Sequence, residues 1–373
     1  MQGAAQIQSV RSILKEVNLA EATKDTYGKK YRQFLRFLKM SDSEFASQVK
    51  KNPEFVEKSL RRYSEENKDK VSGSTIRGLR DSVRFFLKMR NLDGEVNWDR
   101  LNYLIPHSRK IGKDRAPSIE EVRKIVSNSD TRLKAVILIM ASSGIRVGAF
   151  DSLNWGDVKP IIEEGVPAGA RLTAYRGERD EYQTFITPEC YETLAEYRKQ
   201  REKFGEVIND NSPLIREALN TRLLMGEETP KLVKPKRISS KSIKNEIGHL
   251  LWKIGLRSEK KRVQEFKLAH GFRKFFKSRC ELAGVKTLNV EILMGHQVGL
   301  SSSYYKPTAE ELFEDYRKAI PHLTISEVEE VKLESDRKVG KIEEEIQNLY
   351  DRLDKMEKEN AELRGLVKRF TSK

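Results

Sequence analysis

The chain has 373 residues, and 71 Lys and Arg against 56 Asp and Glu give it a formal net charge of +15. It lacks any apolar run of about 18 residues, which excludes a transmembrane helix. It also lacks the GxxxxGK[ST] pattern that cradles nucleotide phosphates, which speaks against an ATP-driven motor. Two cysteines and five scattered histidines offer neither a disulfide framework nor zinc-ligand spacing. The basic excess favours a polyanionic partner, and with no apolar signal core near the N-terminus a reduced, cytoplasmic setting is expected.

The first part of the chain, residues 1–104, is predicted to be a helical domain. Apolar residues recur at helical spacing in Thr23–Lys39 and Ser72–Met89, with Thr23 as the expected N-cap of the first segment. A basic face on one amphipathic helix is usually only a solvated surface. Two such faces in one small domain favour a clamp on nucleic acid. A basic linker follows at residues 105–115 and contains Arg109, Lys110, Lys113 and Arg115.

The second part, residues 116–323, is predicted to combine helices with a small antiparallel sheet. The apolar run Leu133–Ala141 indicates a buried helix. Two short strand-like runs, Ala170–Tyr175 and Tyr182–Thr187, flank the polar segment Arg176–Glu181 and predict a β-hairpin. The pattern turns helical after Pro188. The fold class expected from the whole chain is therefore mainly α with a small antiparallel sheet (α+β).

The third part, residues 324–373, is predicted to be a coiled-coil tail. Apolar residues alternate by four and three from Ile342 to Phe370, and Asn360 occupies one a position of the heptad. A single amphipathic helix packed on the body is the alternative. Sustained 4-3 spacing favours the coiled coil, and a buried Asn at a favours a parallel dimer.

Four places in the second part carry residues suited to phosphate chemistry. Arg146 follows the buried helix, and the plain alternative is a structural ion pair with Asp151 or Asp157. The other three places are a helix that carries one His and one Arg three residues apart, a glycine–histidine pair expected at a helix C-terminus, and two adjacent tyrosines. In order, these residues are His270 and Arg273, Gly295 and His296, and Tyr304 and Tyr305.

This ordered set resembles the tyrosine recombinase, or phage integrase, family over about residues 15–323, and the ending LMGH…SSYYKPT looks most like the integrases of archaea and their viruses or mobile elements. The resemblance implies a helical core-binding domain, a catalytic domain, double-stranded DNA as partner, and tetramers on DNA that exchange helices, for which Glu310–Ala319 is the candidate. It implies cleavage through a covalent 3′-phosphotyrosyl link without cofactor or metal, and DNA integration or excision as the task. The implied catalytic residues are Arg146, Arg176, His270, Arg273, His296 and Tyr305.

The sequence departs from the family at the hairpin, where Arg176 stands in place of the usual lysine. Arginine is a poor proton donor because its pKa lies above ~12. Either Arg176 contributes charge only, or Lys267 or Lys274 supplies the proton. Tyr305 is favoured over Tyr304 because it lies nine residues after His296, as in the family.

DNA contacts are expected in the linker and at further basic residues of the second part. A type IB topoisomerase that relaxes DNA, or a catalytically inactive DNA-binding relative, remains the alternative. The expected contacts outside the linker are Lys234, Lys236, Arg237, Lys241 and Lys274.

Overall fold

The computed structural model describes residues 8–104, 115–218, 236–257, 268–299 and 304–327, together with residues 346, 347, 349, 352, 353, 355 and 356. The chain divides into two compact units, Met1–Ile111 and Gly112–Lys373. Within the described ranges, no helix is long and apolar enough to cross a membrane.

The first unit is helical, as predicted. Aromatic side chains such as Tyr31, Phe34 and Phe86 fill its core. Its first long helix begins at Glu21 after Ala20, so the predicted N-cap at Thr23 is wrong. The helices are α1 (Val10–Glu16), α2 (Glu21–Leu38), α3 (Asp42–Lys51), α4 (Glu54–Asn67), α5 (Gly73–Lys88) and α6 (Trp98–Leu104).

The second unit surrounds one buried helix with further helices and one small sheet. Its helices are α7 (Ile119–Ser127), α8 (Thr131–Ser143), α9 (Pro188–Lys203), α10 (Ser240–Lys253), α11 (Leu268–Leu282), α12 (Thr287–Leu293), α13 (Ala309–Arg317) and α14 (Ile320–Leu323). Helix α8 contains the predicted apolar run and is buried from Ala135 to Ser143. It packs against α9 and α11.

The sheet has three antiparallel strands in the order β1 (Val158–Glu163), β2 (Val166–Ala174) and β3 (Tyr182–Ile186). Strands β2 and β3 form the predicted hairpin, in which Ala174 pairs with Tyr182. Strand β1 was not predicted. It joins β2 through Glu164 and Gly165, which both have positive φ, the conformation of a two-residue hairpin turn.

Residues 309–326 are held on the body of the second unit by hydrogen bonds at two places. The Tyr316 side chain of α13 is buried, and its hydroxyl donates to the Ser142 carbonyl at 2.8 Å. The buried Glu189 carboxylate accepts hydrogen bonds from the backbone amides of Ile325 at 2.7 Å and Ser326 at 2.9 Å. These contacts hold the described chain on the body as far as Ser326.

Candidate active site

Arg146 is placed by the way helix α8 ends. Gly144 follows the helix with a φ of +62°, and a Cβ there would lie 2.4 Å from the Phe276 ring. Only glycine fits this turn. Two residues later, the guanidinium of Arg146 donates from Nη2 to the Gly295 carbonyl at 3.1 Å. The turn after α8 therefore directs Arg146 toward the turn after α12.

Arg273 reaches the same turn from helix α11. Its buried guanidinium donates to the Gly144 carbonyl at 2.6 Å and to the Met294 carbonyl at 3.2 Å. Two of the carbonyls that the arginines bind belong to adjacent residues: Arg273 donates to Met294, and Arg146 donates to Gly295. The structure thus brings the two predicted arginines together.

His296 lies beside them because Gly295 ends helix α12 as predicted. Gly295 has a φ of +65°, and the His296 amide donates back to the Glu291 carbonyl at 3.0 Å. Arg273 Nη2 lies 2.6 Å from His296 Nε2. Since a guanidinium only donates, Nε2 is the acceptor, and the proton of a neutral ring is then on Nδ1.

Glu291 fixes the histidine from the other side, and the sequence analysis did not single it out. Its carboxylate accepts from His296 Nδ1 and is also held by Lys277. Burial raises the pKa of Glu291, but the hydrogen bonds from Lys277 and His296 outweigh it and lower the pKa below its usual range. The ionised carboxylate keeps the ring in one tautomer and orientation. The only signal in the sequence is a carboxylate one turn and a half before the histidine.

The two arginines have no carboxylate partner among the residues that the structure describes. The predicted alternative pairing is wrong, since Asp151 accepts from the Ser240 amide at 2.7 Å and Asp157 pairs with Arg176 at 2.8 Å. Burial, and secondarily the positive charge of Arg146, lowers the pKa of Arg273. Neighbouring cations without a counter-charge form a site that favours an anion.

Arg176 is held elsewhere in the hairpin turn. Its Nε lies 2.8 Å from the carboxylate of Asp157, which is buried, and its Nη2 donates to the Gly156 carbonyl at 2.9 Å. These contacts tie the hairpin to the start of β1. They do not include the turn that Arg146 and Arg273 share.

The two adjacent tyrosines have different surroundings. Tyr304 is 90% exposed. Tyr305 is half-buried and donates from its hydroxyl to Asn289 Oδ1 at 2.9 Å. It lines a pocket of about 320 Å³ together with His296, Gly295 and Tyr182. Tyr305, but not Tyr304, therefore shares a pocket with His296, which contacts Arg273.

The remaining predicted residues lie around the site or outside the described part. His270 is exposed in the first turn of α11, and Lys274 on the next turn is half-buried. Three of the residues expected to bind DNA have protein partners: Arg115 forms two hydrogen bonds of 2.7 Å with Glu121, Arg237 donates to Asn154 Oδ1 at 2.7 Å, and Lys236 pairs with Glu217 at 3.5 Å. A fourth, Lys241, is exposed. Arg109, Lys110, Lys113, Lys234, Lys267 and Asn360 lie outside the described residues.

Comparison with known proteins finds similarity in structure only. No family model matches the chain, and no curated protein matches it. The XerH site-specific recombinase bound to palindromic difH substrate, in a post-cleavage complex, is similar with a TM-score of 0.51, 16% identity, and coverage of 83% of this chain and 84% of that chain. A lambda integrase(75-356) dimer bound to a COC′ core site is similar with a TM-score of 0.50, 16% identity, and coverage of 79% and 92%. The predicted fold class is confirmed: the chain has the mainly helical fold with a small antiparallel sheet that these recombinases and integrases have.

Proposed function

We propose that the chain is a site-specific DNA recombinase, an integrase that cuts and rejoins double-stranded DNA through a covalent 3′-phosphotyrosyl intermediate. The observation that carries this proposal is the convergence of Arg146 and Arg273, without a carboxylate partner among the described residues, beside a pocket that holds His296 and Tyr305. An enzyme that breaks a phosphodiester with a side-chain nucleophile needs these parts together.

In the proposed reaction, the Tyr305 oxygen attacks a DNA phosphorus and the 5′-oxygen leaves. The phosphotyrosyl link conserves the bond energy, so the strand is rejoined without a nucleotide cofactor. The transition state gathers charge on the non-bridging oxygens. The N–H groups of Arg146 and Arg273 that do not donate to the three carbonyls or to His296 then bind those oxygens. His270 and His296 hydrogen-bond the phosphate or take the tyrosine proton.

The structural neighbours support DNA as the partner and more than one copy on it. One of them is a recombinase bound to its substrate, and another is an integrase dimer bound to a core site. For this chain we propose assembly as a tetramer on two DNA sites. Helix α13, which contains most of the predicted exchange segment, packs on its own unit, where the rings of Phe313 and Tyr316 both contact the ring of Phe185. An exchange would move it to a neighbouring copy. The exposed Lys236 and Lys241 are proposed to bind the DNA backbone.

The test is a reaction of the purified chain with duplexes taken from candidate chromosomal and element junctions. A nicked duplex traps any covalent protein–DNA adduct, because the short fragment that carries the new 5′-hydroxyl diffuses away and cannot rejoin the strand. We expect an adduct, and exchange of strands between two defined duplexes. Relaxation of plasmid DNA without exchange would identify a topoisomerase instead, and the absence of any adduct would identify an inactive DNA-binding relative.

The tail is proposed to pair with a second copy as a parallel coiled coil. Four of its apolar heptad residues, Ile346, Leu349, Leu353 and Met356, follow the 3-4-3 spacing of a and d positions, and the side chains of all four are exposed. Large apolar side chains in such a row are stabilised by burial against a partner helix. The two described charged residues between them, Arg352 and Lys355, are exposed as well.

A double substitution, Leu349→Glu with Leu353→Glu, is expected to weaken self-association, because it places like charges in the apolar seam. Sedimentation velocity over a range of protein concentrations measures the mass. The matched control is Gln347→Glu with Lys355→Glu, which places glutamate at the outer b and c positions of the heptad and leaves at least a dimer. Equal masses for both double variants would contradict the coiled-coil proposal.

A further inference from the structure

The turn of the β2–β3 hairpin, where Arg176 stands in place of the lysine of the family that the sequence resembles, is followed by Tyr182. Tyr182 is the first residue of β3 and lines the pocket that holds Tyr305 and His296. Its hydroxyl oxygen is buried, and its proton has no acceptor among the described residues. A buried hydroxyl whose proton has no acceptor is uncommon in folded proteins and points to a missing ligand.

The neighbours of this hydroxyl are donors. The guanidinium of Arg273 and the backbone N–H of Arg146 lie close enough to favour its ionised form. Neither group can accept a proton, whereas a phenol both donates and accepts. The hydroxyl proton is therefore available to an acceptor that enters the site. An oxygen of a bound phosphodiester is such an acceptor.

The ring of Tyr182 is held in place by the same turn that orders the arginines. A Cβ on Gly295 would lie 2.4 Å from the ring, so the glycine leaves the space that the ring fills. On the other side, the Tyr175 ring lies 6.3 Å away between centroids. Tyr175 has a φ of +56°, a strained conformation for an aromatic residue, which is often retained at functional sites.

Arg176 is poorly suited to the role that the family lysine has. Its guanidinium is engaged by Asp157 and Gly156, and an arginine gives up a proton only above pH ~12. A phenol, with an ordinary pKa of about 10, is close to lysine in acidity. Burial raises the pKa of Tyr182, and the two arginines partly offset this by lowering it. The hydroxyl is therefore protonated at neutral pH and faces two cations when ionised.

We propose that Tyr182 is the proton donor to the leaving 5′-oxygen, a catalytic role that rests on the proposed recombinase function. As the bond from Tyr305 oxygen to phosphorus forms, the bond from phosphorus to the 5′-oxygen breaks, and the Tyr182 proton moves to that oxygen. The Tyr182 phenolate is stabilised by Arg146 and Arg273. The Tyr305 proton passes to His270 or His296 during this attack, the role proposed above for these histidines. In rejoining, the 5′-hydroxyl returns its proton to the Tyr182 phenolate as it attacks the phosphorus, and the bond from phosphorus to the Tyr305 oxygen breaks. That oxygen takes its proton back from the histidine, so atoms and charges balance over the cycle.

The test compares two nicked duplexes that differ in one bridging atom at the cleaved phosphate. One has the ordinary 5′-oxygen, and the other has sulfur there. A thiolate leaves without prior protonation because thiol pKa values are near 8.5. Tyr182→Phe is expected to slow cleavage of the oxygen substrate by about 10²–10⁴-fold, the usual contribution of a general acid. With the sulfur substrate, its rate should lie near that of the wild type.

Further variants distinguish Tyr182 from the other candidate proton donors. Tyr175→Phe removes the other hairpin hydroxyl and should show no rescue by sulfur. If sulfur restores cleavage by Arg176→Ala or Lys274→Ala, while Tyr182→Phe cleaves the oxygen substrate at the wild-type rate, the proton donor is that other residue and the proposal is overturned. Equal slowing of Tyr182→Phe on both substrates would show a structural role. Wild-type protein that forms no adduct with either substrate would reject the recombinase function itself, which is a different outcome.

Discussion

A Tyr305→Phe variant is expected to form no covalent adduct with a nicked duplex, whereas Tyr304→Phe keeps adduct formation. The substitution removes the oxygen that is proposed to attack phosphorus. Tyr305 lines the pocket beside His296, while Tyr304 is almost fully exposed. Denaturing gel electrophoresis of labelled DNA measures the adduct directly, since only a covalent link survives denaturation.

The same pair of variants supplies its own control. Both should bind duplex DNA with wild-type affinity, because neither loses a positive charge. Tyr305→Phe leaves the buried Asn289 Oδ1 without its hydroxyl donor, a loss of about 1 kcal/mol or somewhat more in the free energy of unfolding. If Tyr304→Phe loses the adduct and Tyr305→Phe keeps it, the nucleophile is one residue earlier.

Replacement of either site arginine by alanine should slow cleavage by about 10²–10³-fold, the usual loss for one donor to a developing oxyanion. Arg146→Ala is the cleaner of the two variants. Among the described residues, the Arg146 side chain donates only to the Gly295 carbonyl. The Arg273 side chain contacts three residues, Gly144, Met294 and His296, so its removal disturbs more of the structure. Single-turnover cleavage at saturating DNA gives the rate without the contribution of binding.

Arg198→Ala is a matched control for the arginine variants. Arg198 lies on α9 and pairs with Glu202 on its own helix at 2.9 Å, away from the turn after α12. It should cleave at the wild-type rate. Arg273→Lys should recover little activity, because a single ammonium cannot replace the paired donors of a guanidinium. Folded Arg146→Ala and Arg273→Ala proteins that cleave as fast as Arg198→Ala would show that the anion site is not the reaction centre.

The sequence predicted those parts of the fold that depend on local pattern. The buried helix α8 and the hairpin of β2 and β3 follow from apolar runs and a polar turn. Strand β1 was missed because Pro160 lies within it and Pro167 faces it across the turn, and proline weakens any strand pattern. Its pairing with β2 is set by the turn and by burial.

The candidate site was predictable in its residue types and order, but not in its partners. The sequence leaves open an ion pair of Arg146 with Asp151 or Asp157. In the structure, Asp151 accepts from the Ser240 amide and Asp157 pairs with Arg176, and residue spacing reveals neither contact. Glu291 and Tyr182 depend on a turn at Gly295 that brings α12, β3 and α11 together. Contacts between distant segments of this kind follow from packing, which no local pattern encodes.

The Glu189 carboxylate holds the backbone of Ile325 and Ser326 on the body of the second unit. If the tails of two copies pair as proposed, the chain between Ser326 and the paired helices raises the local concentration of the second body. For short tethers this effective concentration is on the order of millimolar. Occupancy of a second DNA site would then depend on the tether length more than on the bulk protein concentration. Lengthening the chain just after Ser326 is therefore expected to change assembly without altering any residue that is proposed to bind DNA.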